Sequence, residues 1–137
     1  MSRTQGTQDL GKAILRIVLG VLILVHGIAK VMAGPGFVVQ VVTQAGLPAE
    51  FAYGVYLGEV VAPVLLIIGF WSRLAALVVA VNMVFALALV HAKQLGEMAP
   101  TGGWALELQG MYLAAALVVA LLGAGRFSIG GIDGKWN

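Results

Sequence analysis

Four stretches of the chain are continuously apolar, each about the 20 residues that a helix needs to cross roughly 30 Å of bilayer hydrocarbon. They run from Ala13 to Ala33, Phe51 to Phe70, Leu74 to Ala92 and Trp104 to Ala124. A membrane β-barrel would alternate apolar and polar residues in short blocks, and these stretches do not. The pattern predicts an all-α membrane protein: one integral domain, residues 1–137, folded as a four-transmembrane-helix bundle with spans at about 13–33, 51–70, 74–92 and 104–124. Little chain remains for a soluble domain.

The connections are unequal. Phe70-Trp71-Ser72-Arg73 is a tight turn, so the second and third spans should pack as an antiparallel hairpin. The segment from Gly34 to Glu50 opens with Gly34-Pro35-Gly36 and closes with Gly46-Leu47-Pro48, both strong breakers. Between them Phe37, Val38, Val41, Val42 and Ala45 recur at helical spacing, which predicts a short helix lying on the outer membrane surface. Gly54 and Gly58 form a GxxxG pair, extended by Ala62; intramolecular packing is favoured over a homo-oligomer interface. The first span also has the layout of a secretory signal, with Val31-Met32-Ala33 as a small-residue site. His26 and Lys30 are ill suited to a disposable segment, and a retained helix is expected.

Composition agrees: the chain is 61% hydrophobic and 10% charged, with a mean hydropathy of +1.00 and a pI near 9.2. The basic residues are spread along helix ends, which gives no nucleic-acid surface. With both termini cytoplasmic, Arg3, Lys12, Arg16, Arg73, Arg126 and Lys135 lie inside and Lys30 and Lys93 outside, a clear positive-inside bias. The chain has no cysteine, which excludes a disulfide relay, a persulfide carrier and thiolate-held iron–sulfur clusters. Redox work would need a bound cofactor or a partner protein.

The candidate chemistry lies inside the membrane. A carboxylate near the centre of a span costs roughly 2.5–3.5 kcal/mol on insertion scales and is kept for a partner or a task. By helical rise, Glu59 lies roughly 12 Å and His26 roughly 10 Å below the outer ends of their spans, and Glu107 roughly 5 Å. Lys30 is one turn above His26, and His91 lies almost at the outer end of the third span. These five come from all four spans and share the outer half of the bundle. They are expected to form a ligand-binding or proton-handling cluster, supported by Arg16, Pro63, Asn82, Gln109 and Tyr112. Pro63 has no N–H for the Glu59 carbonyl, so a bend and a free backbone acceptor are expected there. Structural alternatives stand beside each assignment. Lys30 can snorkel to the headgroups, His91 can be an interfacial residue, Arg16 can snorkel inward or pair with another helix, and Glu59 can close a salt bridge to Lys30. No metal site is expected, because the His and Glu residues come singly from separate helices with no Glu-x-x-His pair.

The pattern Arg16-x3-Gly20-x5-His26-Gly27-x2-Lys30, then Gly46-Leu47-Pro48, Glu59, Gly69 before Arg73, His91, Glu107 and Gly123-x-Gly125-Arg126-x-Ser128 resembles the DoxX family, from about Leu10 to Ser128. The resemblance implies a four-helix, multi-pass protein of the bacterial inner membrane. The family takes its name from relatives linked to quinone-dependent sulfur oxidation, and other members are associated with redox stress. The absence of cysteine argues against this chain carrying sulfane sulfur itself. Three functions compete: an accessory or quinone-interacting subunit of a redox or oxidative-stress system with a membrane or redox partner protein, a small proton-coupled carrier, and a structural anchor. Four helices without inverted repeats count against the carrier. No catalytic motif is present, and the cofactor is left open, with quinone as a candidate. A pocket at the polar cluster, against a dry salt-bridge network, discriminates between them.

Overall fold

A computed structural model describes residues 2–137. Helix α1 spans Arg3–Ala33 and opens with a capping box in which the Ser2 side chain and Gln5 satisfy each other's backbone. It starts ten residues before the apolar stretch does. At about 1.5 Å per residue it is about 46 Å long, so its polar first turns, where Lys12 pairs with Asp9 at 3.6 Å, extend past any hydrocarbon layer. The short helix α2 is Gly36–Gln44 and buries Val38 and Val42 against Ala52.

Helix α3 runs from Ala49 to Ile68. It begins with a 3-10 turn at Ala49–Phe51 and widens into a π turn over Leu57–Val61, just ahead of Pro63. The expected disturbance at Pro63 thus takes the form of a π turn, which accommodates an unpaired i→i−4 position by inserting one residue. Helix α4 is Ser72–Leu89, and α5 is Glu107–Leu122. α1, α3 and α4 are long and apolar enough to cross a membrane. α5 is also apolar but has 16 residues, about 24 Å at the usual rise. Trp104, expected inside this span, stands before it: it bridges back to Met98, and its indole N–H donates to the Leu95 carbonyl at 2.9 Å. Among the described residues there is no β-strand beyond that isolated bridge.

α4 packs chiefly on α5, and α1 on α3. The core between them is Leu19, Ile23, Leu66, Val79, Met83 and Val119, interleaved with Ala62, Ala75, Ala76, Ala80 and Ala116. Small residues let the backbones approach where lipid gives helices no hydrophobic reason to associate. The perimeter is apolar instead of polar, with Val25, Val31, Val81, Met111 and Leu121 exposed.

The end where α1 and α4 begin and α3 and α5 stop is here termed basal, the opposite end apical. Two arginines close the basal end. Arg16, 1% exposed, donates to the carbonyls of Leu66, Ile67 and Phe127. Arg73 donates to those of Ala120 and Leu121 at 2.9 and 2.7 Å. Each places a cation on the unpaired carbonyls at a helix C-terminus, so Arg16 turns into the bundle and pairs with α3. The turn between α3 and α4 needs glycine at 69: its φ is +76°, and a Cβ there would collide with Ser128. Asn137 folds back beneath it, accepting from the Ser72 amide at 3.1 Å and donating to Gly131.

Candidate functional site

Glu59 lies within the π turn and is 3% exposed. Its backbone and side chain are fixed separately. α1 comes so close at Gly27 that a Cβ there would collide with the Glu59 carbonyl oxygen, which is the acceptor that Pro63 leaves without an N–H. The neighbouring Gly58 lies against the Asn82 side chain, where a Cβ would be 2.6 Å from that of Asn82. On the carboxylate, Oε1 accepts from Lys30 Nζ at 2.7 Å and from Asn82 Nδ2 at 3.1 Å. Oε2 is buried with no hydrogen-bond partner. The two oxygens therefore differ: one is saturated by two donors, and the other awaits one.

Glu59 lines a polar chamber of about 90 Å³ together with Lys30, His26, His91, Gln109 and Tyr112, with Ile23, Met83, Ala86 and Leu108 completing the wall. Gln109 Oε1 is also buried without a partner. His26 is at the chamber's edge, exposed on the perimeter, with its ring edge-on to Tyr112 at a centroid distance of 5.9 Å. Its Nδ1 is 2.9 Å from the Leu22 carbonyl, and a carbonyl only accepts, so Nδ1 carries a proton. His91 caps the chamber from the end of α4, with Nδ1 2.8 Å from Gln94 Oε1.

Glu107 does not join this group. It is exposed at the start of α5, folded against Gly103. The expected convergence of Glu59, His26, Lys30 and Glu107 is corrected accordingly: Lys30 contacts Glu59, His26 borders the same chamber, and Glu107 points elsewhere. Asn82 is a direct partner of the carboxylate, and Gln109 and Tyr112 line the chamber. Pro63 shapes the backbone, and Arg16 is at the opposite end of the bundle. Among the described residues, no three His, Asp or Glu side chains gather as metal ligands.

The other side of Glu59 is apolar. A groove of about 370 Å³ runs between α2, α3 and α4, lined by Leu47, Phe51, Gly54, Val55, Leu57, Leu77, Val81, Phe85 and Leu89, with Asn82 as its polar element. A hollow of about 70 Å³ joins it to Lys30 and Glu59, sharing Val42, Val55, Asn82, Phe85 and Leu89 with it. Gly54 faces open space, so of the GxxxG pair Gly58 serves helix packing and Gly54 leaves the groove open. Sequence reasoning missed this groove, because the wall contributed by α2 depends on that helix folding back over α3.

The DoxX family profile matches residues 11–92, a segment that contains most of α1, all of α2, α3 and α4, and both side chains hydrogen-bonded to Glu59. The chain belongs to the DoxX family. Among its relatives is a Bacillus subtilis (strain 168) protein named "Putative oxidoreductase CatD", 28% identical over 116 residues that cover 85% of this chain and 81% of that one. An uncharacterized Haemophilus influenzae protein is 32% identical over 120 residues, covering 85% and 86% of the two chains. No solved structure matches the chain significantly. This DoxX protein is a membrane protein: its long apolar helices and apolar perimeter place it in a lipid bilayer.

Proposed function

We propose that this DoxX protein is a quinone-binding accessory subunit of a redox or oxidative-stress system in the bacterial inner membrane. The observation that carries the reading is an apolar groove ending on an ion pair. The groove volume of about 370 Å³ is within the usual range for small-molecule sites, which are mostly apolar with a few placed polar groups. The Lys30–Glu59–Asn82 cluster supplies those groups at one end. An isoprenoid tail would lie between α2, α3 and α4, and a carbonyl or hydroxyl head would meet Lys30 and Asn82 as donors. Bound quinone would supply the electron-carrying chemistry; the chain's own residues bind it, orient it and shield it from lipid. The name of the Bacillus relative supports a redox association. Lacking cysteine, the chain depends on a partner protein to exchange electrons. In this reading all four apolar helices span the membrane, the basal end is cytoplasmic and α2 lies on the outer surface, which puts six of the eight basic residues on the inner side.

The test is quinone binding by the purified chain in nanodiscs, followed through tryptophan fluorescence. A long-tailed ubiquinone or menaquinone should saturate wild type. Gly54→Trp, which fills the groove from a position facing open space, should abolish binding while the protein still inserts. Glu59→Gln should weaken binding about tenfold, the equivalent of about 1.4 kcal/mol. Equal binding by wild type and Gly54→Trp would remove the groove from the account.

A further inference from the structure

Glu59 lines two hollows of different chemistry. Towards the groove its neighbours, beyond Lys30 and Asn82, are valines, phenylalanines, an alanine and a leucine. Towards the chamber they include two imidazoles, a phenol and a primary amide. Two of the residues that line it carry a buried, unpartnered acceptor, Glu59 Oε2 and Gln109 Oε1. Buried polar atoms are paired with protein or with ordered water. The chamber holds about 90 Å³, room for about three waters at roughly 30 Å³ each and less than the roughly 150 Å³ that accommodates a benzene ring. Its size selects water over an organic ligand, and its polar lining offers that water hydrogen-bond partners.

We infer that the polar chamber is a hydrated proton-exchange site that connects Glu59 Oε2 with the aqueous phase at the apical end. A hydronium in the chamber gives one proton to Oε2: one O–H bond breaks on the hydronium, one forms on the carboxyl, and a neutral water remains. Lys30 keeps its charge throughout, so the pair alternates between net zero and net +1, and Oε1 stays bonded to Asn82. The groups facing Glu59 are Lys30 and His26 from α1, Asn82 and His91 from α4 and its end, and Gln109 and Tyr112 from α5; α2 presents apolar residues. No second carboxylate faces it, so one carboxyl accounts for the exchange. The inference stands whatever occupies the groove.

The test uses the full chain in liposomes and dicyclohexylcarbodiimide, an apolar reagent that partitions into the lipid phase and reacts with protonated carboxyls. A protonated carboxyl adds across its C=N bond: the proton goes to nitrogen, the oxygen bonds to carbon, and nothing leaves. Mass spectrometry locates the adduct. Because the chain has no cysteine, Thr101→Cys with an impermeant maleimide reports which side the apical loop faces. Adduct at Glu59 should rise severalfold as the pH on the apical side is lowered and should ignore the basal side. Gln109→Leu, which dries the chamber, and Leu108→Trp, which plugs it from a half-exposed position, should each reduce that dependence to less than about twofold. Gln109→Asn should preserve it. Absence of adduct at every pH, control by basal pH, or unchanged apical dependence in both chamber variants would overturn the inference. Quinone binding is measured separately and should be unaltered in Gln109→Leu, so loss of one result leaves the other interpretable.

Discussion

Removing either end of the Lys30–Glu59 pair should have unequal effects, because the two ends are unequally buried. The Lys30 side chain is 36% exposed and that of Glu59 is 4% exposed. In Lys30→Met the carboxylate keeps Asn82 as its sole donor and has no route to water except the chamber. Deleting one partner of a buried pair typically costs about 3–5 kcal/mol. Partial screening at the lysine brings the expectation to the lower end, about 3 kcal/mol. In Glu59→Gln the amide keeps the shape and one acceptor, and the freed ammonium can extend to the headgroups, so the cost should be about 1 kcal/mol. The double variant leaves no unpaired charge and should resemble Glu59→Gln alone, giving a coupling of about 3 kcal/mol. The assay is reversible unfolding by SDS in mixed micelles, followed by tryptophan fluorescence for all four proteins. Additive single effects, or a larger cost for Glu59→Gln than for Lys30→Met, would refute the reasoning.

Other outcomes follow from the same geometry. Gly27→Ala should destabilise by more than about 2 kcal/mol by the overpacking rule, because its methyl would meet the Glu59 carbonyl, whereas Gly54→Ala should be tolerated; the same SDS titration compares them. Arg16→Leu should cost about 3 kcal/mol through loss of charged hydrogen bonds to three carbonyls, and Arg16→Lys should recover only part of it, because an ammonium lacks the planar fork; thermal unfolding in detergent reads both. Glu107→Gln should change stability by less than about 0.5 kcal/mol, as exposed substitutions do, and leave quinone affinity unaltered.

The helices and the depth of the polar layer are legible in the sequence, because continuous apolar runs set the spans and helical rise sets depth. Azimuth is harder. Gln109, Tyr112, Ala116 and Val119 recur at three- and four-residue steps and face the chamber or the core, which leaves Glu107 about 200° away from Gln109 on the wheel. That periodicity was available in the sequence, and depth alone concealed it. The same step places Ile23, Gly27 and Lys30 inward and His26 at the seam. Other features depend on contacts distant in the chain. Arg16 meets Leu66 and Phe127, 50 and 111 residues away, and no local pattern announces such caps. The groove exists because α2 folds back over α3. Pro63 does signal a local disturbance, and the structure resolves it as the π turn that presents Glu59.

The central claim is that a quinone occupies the groove and ends on Lys30, Glu59 and Asn82. Photocrosslinking tests it most directly: an azido-quinone with a long isoprenoid tail is irradiated with the protein in nanodiscs, and the adducts are mapped by mass spectrometry. The account predicts adducts on α3 and α4 within Phe51–Leu57 and Leu77–Leu89, lost in Gly54→Trp and displaced by unlabelled quinone. Adducts scattered over the lipid-facing perimeter, at Val25, Met111 or Leu121, and indifferent to Gly54→Trp, would contradict it.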